Sequence, residues 1–355
     1  MDKIKVGILG ATGTVGQKFV ALLENHPWFE VTELAASKQS AGKIYSEAVH
    51  WTQKSGLPEK ISRLTVKECK PDLDCRIVFS GLDASVAGGI EEEFASAGYA
   101  VFSNARNHRY DHDVPLMIPE LNAGHADLID IQQENRSWPG FIVTNPNCST
   151  IFLAMALYPL HQKFTVEKVS VVTMQAVSGA GYPGVASLDI LGNVMPFISG
   201  EEEKIAKETR KILGKITNGK IEDADIPVSA QCNRVSVEDG HLESISVKLR
   251  EKTSIAEISE IYKNFKASPQ ELNLPSAPGR PTVVMEEPDR PQPKYDIMVE
   301  KGMATVIGRI QTCPVLDYRM IALGHNTIRG AAGASILNAE LLLKQGQLDN
   351  IIKNK

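Results

Sequence analysis

Long apolar runs are missing from this chain. Nowhere in its 355 residues do about eighteen consecutive apolar side chains occur, so no membrane-spanning helix is expected. Blocks of about five or six like charges are missing too. The net charge is −5, from 38 basic and 43 acidic residues, which argues against nucleic acid or an anionic membrane surface as a partner. Cysteine is scarce: Cys69, Cys75, Cys148, Cys232 and Cys313 are all there are. An odd count without a C-x-x-C pair excludes a disulfide frame and implies reduced thiols. No H-x-x-x-H pair lies near a cysteine, so no metal is expected. The opening MDKIKVGILG is charged and then strand-like, with no cleavage-like site, and a cytoplasmic protein is expected.

What is present is an ordinary globular composition, 43% hydrophobic and 23% charged, long enough for two domains. The first third alternates strand-like runs at 5–10, 30–37, 75–81, 99–104 and 140–145 with helical stretches at 14–26 and 85–98. That alternation predicts β-α-β units and a parallel sheet. After Cys148 the runs at 168–179, 243–250, 281–287 and 304–324 are β-branched, with fewer helices between them. A mixed, largely antiparallel sheet is expected there, with helices at 202–214 and 254–265. The pattern at 326–346 predicts a long helix whose small face (Ala331, Ala332, Ser335) lets it dock on the first domain. The fold class is therefore α/β. A Rossmann-type domain covers 1–148, completed by the C-terminal helix 325–355, and an α+β catalytic and dimerisation domain covers 149–324.

GILGATGTVGQKF sets Gly10, Gly13 and Gly16 three apart, after a strand and at the head of a helix. Backbone there can approach a pyrophosphate, and the free N–H groups of a helix start favour an anion. Thr12, Thr14 and Val15 fall in the same turn. The second strand leads into Ser37, Lys38 and Ser40, with no acid after Glu33 to hold ribose hydroxyls. Hydroxyls and an ammonium suit a 2′-phosphate, so NADP is the expected cofactor.

NPNCST places Cys148 at a strand-to-helix corner. Pro146 forces an extended approach, Ser149 and Thr150 are expected to cap the helix, and the helix start is expected to favour thiolate. Backbone N–H groups and the Asn147 side chain could hold an oxyanion. A thiolate nucleophile wants a base, and the residues leave His241 and His325 both open.

Together, GATGTVG, SNARNHRYDHDVPLMIPELN, NPNCST, QAVSGAG, GEEEKIAKETRKI, CNRVSVEDGH and GHNTIRGAAGAS resemble, in order and over nearly the whole chain, the aspartate-semialdehyde dehydrogenase family. The likeness is to its archaeal and fungal branch. The resemblance implies Cys148 as nucleophile, His241 as acid/base and Gln175 as substrate-orienting residue. It further implies Arg234 on the substrate carboxylate, Glu201 (or Glu202) on its ammonium, and Lys204 with Arg109 (or Arg106) on phosphate. Ser80, Gly81, Ser178, Gly179, Gly181 and Asn326 match cofactor contacts. The implied reaction is NADPH-dependent reduction of 4-aspartyl phosphate by a homodimer or homotetramer. Rival readings are a malonyl-CoA or N-acetyl-glutamyl-phosphate reductase, or a non-catalytic NADP-binding regulatory protein.

Overall fold

The structure is a computed structural model and describes residues 3–353. Its first sheet has six strands: β1 (Ile4–Leu9), β2 (Phe29–Ala36), β3 (Val66–Glu68), β4 (Ile77–Ser80), β5 (Ala100–Ser103) and β6 (Phe141–Thr144). They run in the order β3-β2-β1-β4-β5-β6, and every pairing is parallel. Strands β4, β5 and β6 are buried at every position, as expected of a parallel sheet covered by helices on both faces. The chain order reverses between β1 and β4, so a crevice opens beyond their C-terminal ends. Gly10 and Gly81 stand there. Gly10 has φ +73°, and a Cβ on Gly16 would run into the Gly10 carbonyl, so the turn is possible only with glycine at both.

The second sheet comprises β7 (Val166–Gln175), β8 (Val194–Met195), β11 (Val228–Val235), β12 (His241–Leu249), β13 (Thr282–Met285), β14 (Thr305–Thr312) and β15 (Tyr318–Gly324), in the order β13-β14-β15-β12-β7-β11-β8. A small hairpin, β9 (Lys215–Thr217) and β10 (Lys220–Glu222), stands apart. Strand β12 lies antiparallel between β7 and β15, whereas β7–β11 and β13–β14 run parallel. The sheet is mixed, as expected. Strand β11 was not expected from the sequence. Its buried positions are Cys232 and Arg234, so its alternation carries chemistry instead of hydrophobicity.

Helix Cys148–Phe164 joins the two halves. It is apolar all round because it is covered all round. Leu153, Ala156, Leu157 and Leu160 pack with β7 and β12. Ile151, Phe152, Ala154 and Met155 pack with Leu116, Ile118 and Ala334. Phe152→Ala would cost about 3–5 kcal/mol. At the C-terminal end, a wide helical turn Ile328–Ala332 leads into helix Gly333–Lys344, which shares a core with Val6, Phe79 and Phe102. Residues 354–355 of the expected terminal helix lie outside the described residues, as do residues 1–2. Among the described residues, no helix is long and apolar enough to cross a membrane.

Candidate active site

The inner face of the second sheet is built in layers fixed by strand register. At the top, Gly324, His241, Gln175 and Arg234 lie side by side across β15, β12, β7 and β11. One step down come Ala322, Glu243, Thr173 and Cys232. Below them Met320, Ile245, Val171 and Ala230 continue the core. Chemistry occupies the upper layers, at the end where helix Cys148–Phe164 begins.

Cys148 is the first residue of that helix, three residues earlier than the apolar run suggests. The expected caps, Ser149 and Thr150, do not cap. Asn147 does: its Oδ1 accepts from the Ser149 N–H at 3.0 Å and the Thr150 N–H at 3.3 Å. Its Nδ2 donates to Glu201 Oε2 at 2.8 Å. Asn147 therefore caps the helix and supports Glu201, and its Nδ2 carries a second N–H beyond these bonds.

Cys148 Sγ lies 3.1 Å from His241 Nε2. The Ala176 N–H donates to His241 Nδ1 at 3.1 Å, which fixes Nδ1 as an acceptor. The neutral ring then carries its proton on Nε2 and presents it to sulfur. Gly179 sits so close to this pair that a Cβ there would be 3.0 Å from both the His241 ring and Arg234. His325 faces elsewhere. It is buried, its Nδ1 accepts from the Thr327 N–H at 3.4 Å, and burial pushes it down to about 4. Geometry selects His241.

Burial pushes the Cys148 thiol up to about 12, and the Glu201 carboxylate adds to this against Lys204, Arg109 and Arg234. Burial likewise pushes His241 down to about 3, helped by Arg234. Both shifts favour a neutral pair, against the thiolate expected at the helix start.

Around the sulfur, helix Glu201–Ile212 presents one face. Glu201 accepts from Asn147 and, at 3.2 Å, from Gln175, and is ion-paired with Lys204. Burial alone would raise its pKa, but Lys204, Asn147 and Gln175 hold it below the usual range. Glu202 points away, accepting from the Cys232 N–H at 3.1 Å, so Glu201 is the inward acid. Arg234 spends Nη1 on the Ala176 carbonyl at 2.8 Å. Arg109 is buried whereas Arg106 is exposed. Arg109 donates to Glu208 at 2.9 Å and to the Asn104 carbonyl at 2.8 Å.

Two members of this face escape sequence reading. Glu208, fully buried, holds Arg109 and also accepts from the Asn147 N–H at 2.6 Å. Its spacing from Lys204 would suit an i,i+4 pair on a solvated face, but Lys204 is paired with Glu201. Lys211 donates to the carbonyls of Arg109, Asp111 and Val114 and so pins the Arg109 loop. The missed signal was the stripe 201, 204, 208, 211, all on one helix face.

The glycine turn lies across a groove of about 610 Å³ lined by Thr14, Lys18, Ser178, Gly181 and His325. Helix Thr14–Leu23 has Gly13 at its cap position and no side-chain cap, so its first N–H groups remain available. Gly81 closes on Val15 and Gly16, and Tyr182 N–H donates to Thr14 Oγ1 at 3.2 Å. Asn326 ties Gly240 and Ser178 together, at 2.8 Å each. Ser80 departs from expectation. Its hydroxyl turns inward to Glu91 at 2.6 Å, and its carbonyl accepts from the Asn104 N–H at 3.1 Å. Ser37 and Lys38 are exposed and Ser40 half-buried at the end of β2. Thr12 sits in the turn, its carbonyl accepting from Gln17 Nε2 at 2.9 Å. Among the described residues, no three His, Cys, Asp or Glu side chains are grouped to hold a metal ion.

Comparison with known proteins agrees with this geometry. The model of the semialdehyde dehydrogenase NAD-binding domain matches residues 5–129, and that of the semialdehyde dehydrogenase dimerisation domain matches 157–329. The aspartate-semialdehyde dehydrogenase of Schizosaccharomyces pombe is 50% identical over 352 residues, covering 96% of this chain and 98% of its own. That of Methanothermobacter thermautotrophicus is 49% identical over 343 residues, covering 96% and 99%. The chain belongs to the aspartate-semialdehyde dehydrogenase family. A crystal structure of the Candida albicans enzyme with NADP superposes with a TM-score of 0.91 at 43% identity, covering 97% of this chain and 99% of that one. The family's archaeal and fungal members are thus the relatives this chain resembles, as the motifs implied.

Proposed function

We propose that the chain reduces 4-aspartyl phosphate to aspartate 4-semialdehyde with NADPH, releasing phosphate, and runs the reverse reaction with NADP. One observation carries the reading: a corner cysteine 3.1 Å from an oriented imidazole, ringed by one carboxylate and three cations. The groove residues fit the dinucleotide. Gly10 and Gly16 let the turn close on its own backbone, the Gly13 corner offers free N–H groups, and Lys38 with Ser37 and Ser40 suits a 2′-phosphate. Ser178 and Gly181 line the same groove, Asn326 donates to Ser178, and Gly179 lies between them and the His241 ring.

As Cys148 attacks the acyl carbon its proton passes to the departing phosphate; the S–C bond forms, the C–O bond to phosphate breaks, and a thioester remains. NADPH, when bound, supplies the hydride that reduces it. His241 stabilises the sulfur through its Nε2 N–H and relays a solvent proton to it as the C–S bond breaks and the aldehyde leaves, so the ring stays neutral. Arg234 keeps guanidinium nitrogens free for the substrate carboxylate. Glu201 takes the substrate ammonium, which displaces Lys204 and frees it for phosphate. That exchange also neutralises the charge that most opposes ionisation of Cys148. Arg109 adds a second cation with an unpartnered Nε, and Gln175 and Asn147 hold Glu201 in place.

We assign residues 1–148 and 325–355 to the dinucleotide-binding domain and 149–324 to the catalytic and dimerisation domain. Leu188, Leu191, Val194 and Phe197 are exposed beside β8, which supports assembly into a homodimer or homotetramer. Five free cysteines suit the cytoplasm. The decisive assay follows NADPH formation from aspartate semialdehyde, phosphate and NADP, with NAD and malonyl-CoA arms. Turnover of malonyl-CoA in place of the semialdehyde would overturn the reading.

A further inference from the structure

Glu243 has no part in the mechanism above, yet its placement is hard to explain by packing. It is fully buried on β12, on the same face as His241 and Ile245, and neither carboxyl oxygen has a hydrogen-bond partner. Burying a carboxyl without a partner is costly, so a site that only needed volume would carry leucine. Its neighbours are fixed by register: Ala322 on β15 and Thr173 on β7. Opposed residues of an antiparallel pair stand with Cβ atoms about 5 Å apart, so a single water would bridge the carboxyl and the Thr173 hydroxyl, which make no direct bond. Thr173 Oγ1 donates to Gln175 Oε1 at 3.1 Å, and Gln175 Nε2 donates to Glu201 Oε2 at 3.2 Å. A line of polar contacts thus runs from the second layer to the inward acid of the site.

We propose that Glu243 is a positioning residue for the reaction: its carboxyl, acting across the strand pair through Thr173, fixes the amide of Gln175 against Glu201. An amide has two faces, and Gln175 serves only with its nitrogen toward Glu201. Thr173 enforces this by donating to Gln175 Oε1, and its own oxygen can accept a donor alongside the neighbouring Cys232 thiol. A neutral carboxyl supplies one, and burial does raise Glu243 well above the usual carboxylate range. The titratable groups around it are His241 on its own strand, Cys232 across Thr173, and Cys148 on the helix above. None is a cation that would draw its proton off.

The inference rests on the aspartate-semialdehyde reading, and its tests separate the two. With the full-length enzyme, aspartate semialdehyde, phosphate and NADP, Glu243→Leu should lower kcat/KM roughly tenfold. Glu243→Gln keeps a donor and an acceptor and should stay within about twofold of wild type. In a Gln175→Ala background, Glu243→Leu should add less than about twofold. An equal loss with and without Gln175, or a Gln variant as impaired as the Leu variant, would overturn the proposal. Where Glu243→Leu fails to fold, Thr173→Val should give the same loss with the same dependence on Gln175. Melting gives a second readout. The unfolded carboxyl ionises near about pH 4.3, the folded one far higher, so stability is lost as pH rises above that point. Glu243→Gln should therefore raise the melting temperature more at about pH 8 than at about pH 5, and an equal gain at both would refute a neutral carboxyl. A wild-type enzyme inactive on aspartate semialdehyde would sink the functional reading instead.

Discussion

Two corners of the same parallel sheet use one geometry for opposite ends. After β1 the chain turns into helix Thr14–Leu23, and after β6 it turns into helix Cys148–Phe164. The first corner has glycine at the cap and leaves its N–H groups unclaimed. The second has Asn147, which satisfies two of those N–H groups itself and puts a sulfur in the first turn. An uncapped helix start is a receptor for an anion; a capped one is a rigid mount. At the capped corner, burial and the Glu201 carboxylate push the Cys148 thiol up.

The mount is broken most severely by Cys148→Ser, which should lower turnover by at least about a thousandfold while NADP binding persists. Retained turnover would remove the nucleophile assignment. His241→Asn should lose roughly a hundredfold or more, and a single-digit loss would return the role to solvent or His325. The neutral resting pair predicts a pH profile as well. Because the thiol is pushed up to about 12, its alkylation rate in the free enzyme should keep climbing past about pH 9 without a plateau. A plateau near neutrality would mean that the corner does hold a thiolate.

The two corners were unequally legible in the sequence. The glycine turn follows from three residues and their neighbours, because local backbone sterics decide it. The strand, the turn and the proline fixed Cys148 at a corner, but its helix was read as starting at Ile151. That shift of three residues hid the capping role of Asn147. Register between distant strands could not be read at all, so Thr173, Glu243 and Cys232 passed as ordinary sheet residues. The face of helix Glu201–Ile212 was misread for a different reason. Charges at helical spacing are usually solvated, and only tertiary packing shows Glu208 and Lys211 buried against the Arg109 loop.

The first corner yields smaller and sharper effects. Lys38→Glu should favour NAD over NADP by roughly tenfold, because a carboxylate repels a 2′-phosphate and accepts from ribose hydroxyls; unchanged preference would mean that Lys38 is only a solvated side chain. The mildest test converts one corner into the other. Gly13 has φ −78° and ψ 168°, extended geometry that any residue adopts, so Gly13→Asn introduces no backbone strain. Its nearest neighbour would be the Gly10 carbonyl at 3.4 Å, an ordinary contact. A new side-chain cap should stabilise the helix by a few tenths of a kcal/mol. The same cap competes for the N–H groups that a pyrophosphate needs, so NADP affinity should fall several-fold, roughly 1 kcal/mol. Rising melting temperature with falling affinity is the signature expected of a single set of donors serving either the fold or the ligand. If both rise together, the pyrophosphate is held elsewhere and the contrast between the corners loses its physical basis.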